Sequence, residues 1–205
     1  MFSAKTYIAR RKMLRTKIGQ GIILLPGNAP APNNYPNNAY YFRQDSSFLY
    51  YFGLNIPSLV GLIDADSGEE ALYGDDFTVE DIIWTGPQPT LRELGAQVGV
   101  TETFPTAALE ARLRKAIAQG RKIHYLPPYR GETKLQLSEL LGIKPALLHD
   151  YKSVDLMFAV AEMREKKSAE EIEEMERAVH ARVPGCTVIT PERLKWYHMG
   201  LSVWA

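Results

Sequence analysis

The sequence predicts an α/β fold, a mixed β-sheet with helices on both faces. Two observations carry that prediction. Short apolar runs closed by Gly or Pro, such as "GIILLPG" and "RKIHYLP", alternate with longer stretches of helical period. "SLVGLIDADSGEEALYGDD" reads as a hairpin, which puts at least one antiparallel pair into the sheet. Hydrophobic content of 45% and charged content of 23% over 205 residues are an ordinary globular balance, enough to bury a core.

The elements follow in order. In "YIARRKMLRTKI", Tyr7, Leu14 and Ile18 share one helical face. Arg10, Arg11, Arg15 and Lys17 are expected mostly on other, solvated faces. "GIILLPG" reads as a buried strand, and "NAPAPNNYPNNAYY" as a long Pro/Asn loop of the kind that is functional or disordered. The aromatics of "SFLYYFG" favour a strand. The hairpin comes next, turning at Asp64-Ala65-Asp66-Ser67-Gly68. "FTVEDIIWTGPQPTLRELGAQVGV" reads as two helices broken at a Trp-Thr-Gly-Pro corner. "TFPTAALEARLRKAIAQG" is an amphipathic helix burying Leu109, Leu113, Ala116 and Ile117, ended by Gly120. "RKIHYLP" is a strand, and "ETKLQLSELLG" a helix. "SVDLMFAVAEMR" is a helix with Leu156, Met157, Val160 and Met163 expected inside.

Near residue 164 the character changes. Arg164 to Lys167 is a charged linker, and Ser168 with Glu171 forms a capping box before a new helix lined by Ile172, Met175 and Val179. That helix opens another domain or packs back on the first; spacing alone allows both. The expected organisation is residues 1–163 as one domain, 164–180 as linker and first helix of a further domain, and 181–205 as an atypical tail. In that tail Val183-Pro184-Gly185 interrupts the helical pattern.

Formal net charge is zero, so no basic field favours nucleic acid or an anionic membrane. One cysteine, Cys186, forms no internal disulfide. No run approaches the roughly 20 apolar residues of a spanning helix. No partner in nucleic acid or membrane is expected, and a cytoplasmic location is the expectation. The histidines His124, His149, His180 and His198 occupy no metal-binding frame, and His124 reads as a satisfied strand residue. The adjacent acids Glu69-Glu70 and Asp75-Asp76 sit at strand ends, where solvated carboxylates are common. No nucleophile motif and no phosphate loop occurs. No catalytic and no metal residue is therefore assigned.

One stretch stands apart. In "YYFRQDSSFLYYFGL", seven of the thirteen residues from Tyr40 to Phe52 are aromatic, yet Arg43-Gln44-Asp45 lies among them. The stretch resembles the Phe-Arg-Gln-(Asp/Asn)-Ser-x-Phe-x-Tyr-Phe-x-Gly signature of the N-terminal domain of the aminopeptidase P family, within the creatinase/prolidase superfamily. "YIARRKML", "GIILLPGN", the hairpin, the "WTGP" corner and "MREKKSAEEIEEMERAV" follow in that family's order, so the resemblance covers roughly residues 4–179.

The resemblance implies a non-catalytic N-terminal domain of a metal-dependent Xaa-Pro aminopeptidase. Such an enzyme removes the N-terminal residue preceding proline. Two metal ions, usually manganese, would sit in a catalytic domain beyond the linker helix, and none on this chain. The resemblance also implies Xaa-Pro peptides as substrate of the intact enzyme and a homo-oligomer. Arg43 and Asp45 are expected where the loop enters the sheet, paired with each other or with backbone groups, at the edge of the substrate cleft. Trp84 is the candidate subunit contact. A stand-alone peptide-binding module that has lost its peptidase domain is the competing reading, and a prolidase or creatinase N-terminal domain is another.

Overall fold

A computed structural model describes residues 2–35 and 38–186, with side-chain surroundings described as far as residue 179. The chain divides into two units, Met1–Arg164 and Glu165–Ala205. The first unit runs α1 (Ala4–Ile18), β1 (Ile22–Pro26), β2 (Pro32–Tyr35), β3 (Asn38–Ala39), α2 (Ser46–Phe52), β4 (Val60–Asp64) and β5 (Glu70–Tyr73). It continues with α3 (Val79–Thr85), α4 (Leu91–Gln97), β6 (Glu102–Phe104), α5 (Ala107–Ala118), β7 (Ile123–His124), α6 (Gly131–Leu141), a 3-10 turn at Pro145–Leu147 and α7 (Val154–Glu165).

Five strands form one mixed sheet in the order β6-β5-β4-β1-β7. β1 pairs antiparallel with β4, Leu24 opposite Leu62, and parallel with β7, Ile23 opposite His124. The predicted hairpin is β4–β5, and β6 adds a parallel edge. Side chains alternate along a strand, so β1 serves two cores. Ile23 and Leu25 join α1, α2, α4 and α7 on one face; Ile22 and Leu24 join α5 and α6 on the other. The fold is α/β, with helices on both faces of a mixed sheet.

The hairpin turn is held by charge. Arg121 donates to both oxygens of Asp64, at 3.0 and 2.6 Å, and also pairs with Asp66. Burial acts to raise the Asp64 pKa, but these bonds and the Ser67 and Asp66 N–H groups keep it below the ordinary carboxylate value.

Four local expectations are corrected. Ser46–Phe52 is a helix, not a strand. Asp45 Oδ1 accepts the N–H groups of Ser47 and Phe48, at 2.8 and 3.0 Å, which starts the helix. Gly53, at φ +67°, stops it. The aromatics then fall at helical spacing, so that Phe48, Tyr51 and Phe52 share the buried face. Aromatic content marks burial, and capping decided the backbone.

The Pro/Asn loop carries a small antiparallel pair, β2–β3. Met157 and Ile117 lie at 36% and 43% exposure, outside the core they were expected to join.

The fourth correction is the largest. Arg10 and Arg11 lie on the buried face of α1, at 8% and 0% exposure. The Arg10 guanidinium sits 4.1 Å from the Tyr50 ring centre and 4.8 Å from that of Phe2. Arg11 binds Glu70 at 2.6 Å, Tyr51 O at 2.9 Å and Val98 O at 2.9 Å.

In the second unit, α8 (Ala169–Cys186) starts with reciprocal Ser168–Glu171 bonds of 2.9 and 3.3 Å, the capping box read from the sequence. Val183-Pro184-Gly185 lies inside this helical span, where the sequence pattern suggested a break. The rest of the tail lies outside the described residues.

Candidate functional site

Arg43, Gln44 and Asp45 have three different surroundings. Asp45 caps α2, so its partners are backbone groups. Arg43 is exposed, and no ion pair links it to Asp45 among the described residues. Gln44, which the sequence reading did not single out, is the buried member at 1% exposure. Its Oε1 accepts the N–H of Asn28 at 2.5 Å and of Asp45 at 2.9 Å. Its Nε2 donates to Ile56 O at 2.6 Å. One amide thus ties the end of β1, the start of α2 and the approach to β4 together. A Cβ on Gly27 would stand 2.6 Å from Leu59 O and 2.8 Å from Gln44 Nε2, which is why the "PG" of "LLPGN" needs glycine.

A cleft of about 470 Å³ opens beside this joint. Its floor is apolar, from Leu25, Leu126 and Val160, and its rim carries Asp45, Ser47, Tyr129 and Arg164. A second hollow of about 350 Å³ shares Asn28 and Tyr129 with it and holds Arg43, Arg130 and Tyr41. Asp45 thus lines the first hollow and Arg43 the second.

Trp84 lies elsewhere, on α3. That helix buries none of its residues, and Val79, Ile83 and Trp84 stand at 77%, 75% and 83% exposure. A Thr78–Asp81 capping box starts the helix and Gly86 ends it, so local signals hold it where packing does not. The structure does not bring Trp84 to the cleft that Arg43 and Asp45 line.

His124 is 2% exposed. Its Nε2 lies 3.1 Å from Gln20 O, which can only accept, so Nε2 carries the proton. Its Nδ1 accepts from the Ser153 hydroxyl at 2.6 Å, and Ser153 Oγ in turn accepts the Leu156 N–H. Burial, helped by Lys122, pulls the His124 pKa below its ordinary 6.5. A depressed folded-state value means that the unfolded chain takes up the proton first. The stability His124 contributes is full above pH 6.5 and is lost as the pH falls through its lower folded value. Urea midpoints measured from pH 7.5 to 5 should fall, and His124→Gln should flatten that fall. An equal slope in both proteins would refute this role.

The acid pairs are structural. Glu70 meets Arg11, and Glu69 meets Arg112 at 2.6 Å. Asp75 and Asp76 accept the N–H groups of Thr106 and Leu91. Among the described residues, no group of three or more His, Cys, Asp or Glu side chains is placed to hold a metal ion. Nor is any described helix long and apolar enough to cross a membrane.

A family model described as "Aminopeptidase P, N-terminal domain" matches residues 7–125, more than half of the chain. The chain belongs to this family. The match begins in α1 and ends just past β7, so it takes in every strand of the aminopeptidase P N-terminal sheet.

Curated relatives include a "Probable Xaa-Pro aminopeptidase" of Arthroderma benhamiae, 29% identical over 173 residues, 83% of this chain and 32% of that protein. Another, of Aspergillus flavus, is 28% identical over 108 residues, 53% of this chain and 22% of that protein. The mitochondrial intermediate cleaving peptidase 55 of Arabidopsis thaliana is 24% identical over 119 residues, 58% of this chain and 24% of that protein. The chain thus spans a third or less of the length of these relatives.

Aminopeptidase P of E. coli, in a low-pH form, superposes with a TM-score of 0.71 at 21% identity, over 87% of this chain and 42% of that one. Aminopeptidase PepP of Pseudomonas aeruginosa gives 0.68 at 22%, over 84% and 40%. At such identities the likeness is one of fold.

Proposed function

We propose that this chain acts as the non-catalytic N-terminal domain of a metal-dependent Xaa-Pro aminopeptidase. The observation that carries the reading is the family match across α1 to β7, together with relatives named as Xaa-Pro aminopeptidases. In this reading a catalytic domain holds two divalent ions, manganese or similar, and the intact enzyme works in the cytoplasm. Among the described residues no group of three or more His, Cys, Asp or Glu is placed to hold such an ion; in this reading the chemistry belongs to the catalytic domain.

The domain's part is positional: its surface edges the substrate cleft and supplies subunit contacts. The apolar exposure of α3 supports the second role. An 83%-exposed Trp beside Ile83 and Val79 is surface that association would cover.

The test uses both the full gene product and this chain. With manganese, the full product should cleave an Xaa-Pro peptide and this chain should not. Cleavage by the purified chain would overturn the non-catalytic reading. Trp84→Ala should leave the urea midpoint of this chain almost unchanged, because the ring packs on little of its own fold. In the full product the same change should lower the apparent mass in sedimentation or reduce cleavage. If it does neither, α3 is not a working surface.

A further inference from the structure

The exposed face of α3 is acidic as well as apolar. Positions four apart share a helix face, so Val79 stands beside Ile83 and Glu80 beside Trp84. All four are exposed. From Gly74 to Leu91 the chain carries Asp75, Asp76, Glu80 and Asp81 and no Lys, Arg or His. Asp75, Asp76 and Asp81 bond backbone N–H groups and the Thr78 hydroxyl. None of the four carboxylates meets a cation among the described residues. A surface of this kind calls for a partner that is both apolar and basic.

Such a surface lies on the same chain. α1 contains no acid. Tyr7, Arg10, Arg11 and Leu14 face the core, which leaves Lys5, Ile8, Ala9, Lys12, Met13 and Thr16 as one outer stripe. Ile8 is 41% and Met13 54% exposed. Lys5 and Lys12 make no ion pair among the described residues. Outward apolar residues flanked by lysines are the counterpart of the acids and apolar residues of α3.

Within one copy the two stripes do not cover each other, since both are exposed. The seven-residue α4, about 10 Å long, lies between them. It starts a few residues after α3, and past its other end a Cβ on Gly99 would stand 2.5 Å from Ile8 Cδ1. The stripes therefore lie toward opposite ends of one short helix. A two-fold axis beside α4 lays α1 of each copy on α3 of the other. The contact is then isologous and made twice, which offsets the small area that a two-turn helix offers alone.

We infer that two copies of this chain associate by reciprocal contacts between α3 and the outer stripe of α1. Lys5 and Lys12 of one copy face Glu80 and the acids beside it on the other, and Ile83 and Trp84 lie on Ile8 and Met13. The contact rests on the reading of α3 as a subunit surface and names what covers it.

Sedimentation equilibrium of the 205-residue chain, from about 5 to 200 µM, reads the association. The chain should dimerise with a Kd of about 10–100 µM, as suits a small interface. Glu80→Lys should weaken the dimer about ten-fold or more, and Lys12→Glu likewise, because each sets like charges against one another in both contacts. Both positions are exposed, so neither change should move the urea midpoint. An equimolar mixture of the two variants should regain the wild-type affinity. In the mixed dimer one contact is unaltered and the other has its charges exchanged, and a role in folding alone gives no such rescue.

A chain still monomeric at about 200 µM, reversals without effect, or variants that mixing does not rescue each overturns the pairing of α1 with α3. Trp84→Ala distinguishes that outcome from failure of the broader reading. If it lowers the mass of the full product while mixing rescues nothing, α3 meets another surface and only the pairing falls.

Discussion

Arg11→Ala should destabilise the first unit by about 3–5 kcal/mol, the usual cost of breaking a buried ion pair from one side. Arg11 is fully buried and joins α1 to four other places: Glu70 on β5, Tyr51 on α2, and Val98 and Gly99 after α4. Its removal leaves the Glu70 carboxylate, at 16% side-chain exposure, without its partner. It also strands the carbonyls of Tyr51 and Val98 in the core. Burial lowers the Arg11 pKa, while the charge and hydrogen bond of Glu70 act to raise it.

Urea unfolding followed by circular dichroism measures the loss. Adding Glu70→Leu to Arg11→Met should recover part of it, because the stranded charge goes too. A loss below about 1 kcal/mol for Arg11→Ala would show that water or a shifted side chain replaces the guanidinium.

Gln44→Ala should cost about 3 kcal/mol, from one buried N–H group, one part-buried N–H group and one part-buried carbonyl left unmatched and then partly rehydrated. The three are the N–H of Asn28, the N–H of Asp45 and the carbonyl of Ile56. Gln44→Glu should be nearly as harmful: a carboxylate keeps the two acceptor roles but has no N–H for Ile56 O. Arg43→Ala is the control next door. With its side chain exposed, the unfolding midpoint should stay where it was. If Arg43→Ala destabilises as much as Gln44→Ala, the joint has been assigned to the wrong residue.

The fold was legible because its signals are local and repeated. The hairpin turn at Asp64 to Gly68, the apolar β1 and the helix ended by Gly120 each combine a period with a stop. The capping box at Ser168 and Glu171 is likewise a three-residue spacing that the structure fulfils. The candidate site was legible only in part. The segment around Arg43 and Asp45 drew notice because charge sat among aromatics. Its buried polar anchor, Gln44, carries no charge and has no period, and nothing local says which side chain of the three turns inward.

The sequence by itself determined the mixed α/β class, the order of most elements and the family. All of these rest on hydrophobic period, turn chemistry and a contiguous motif. Tertiary structure decided the rest. Whether "SSFLYYF" became helix or strand depended on Asp45 capping the segment and on a helical groove for its aromatics. Whether Arg11 met water or the core depended on Glu70 and three carbonyls 40 to 88 residues away in sequence. And the cleft exists only where β1 and β7, about a hundred residues apart in the chain, lie side by side and send their connections to opposite faces. Partners so distant leave no period and no spacing to read.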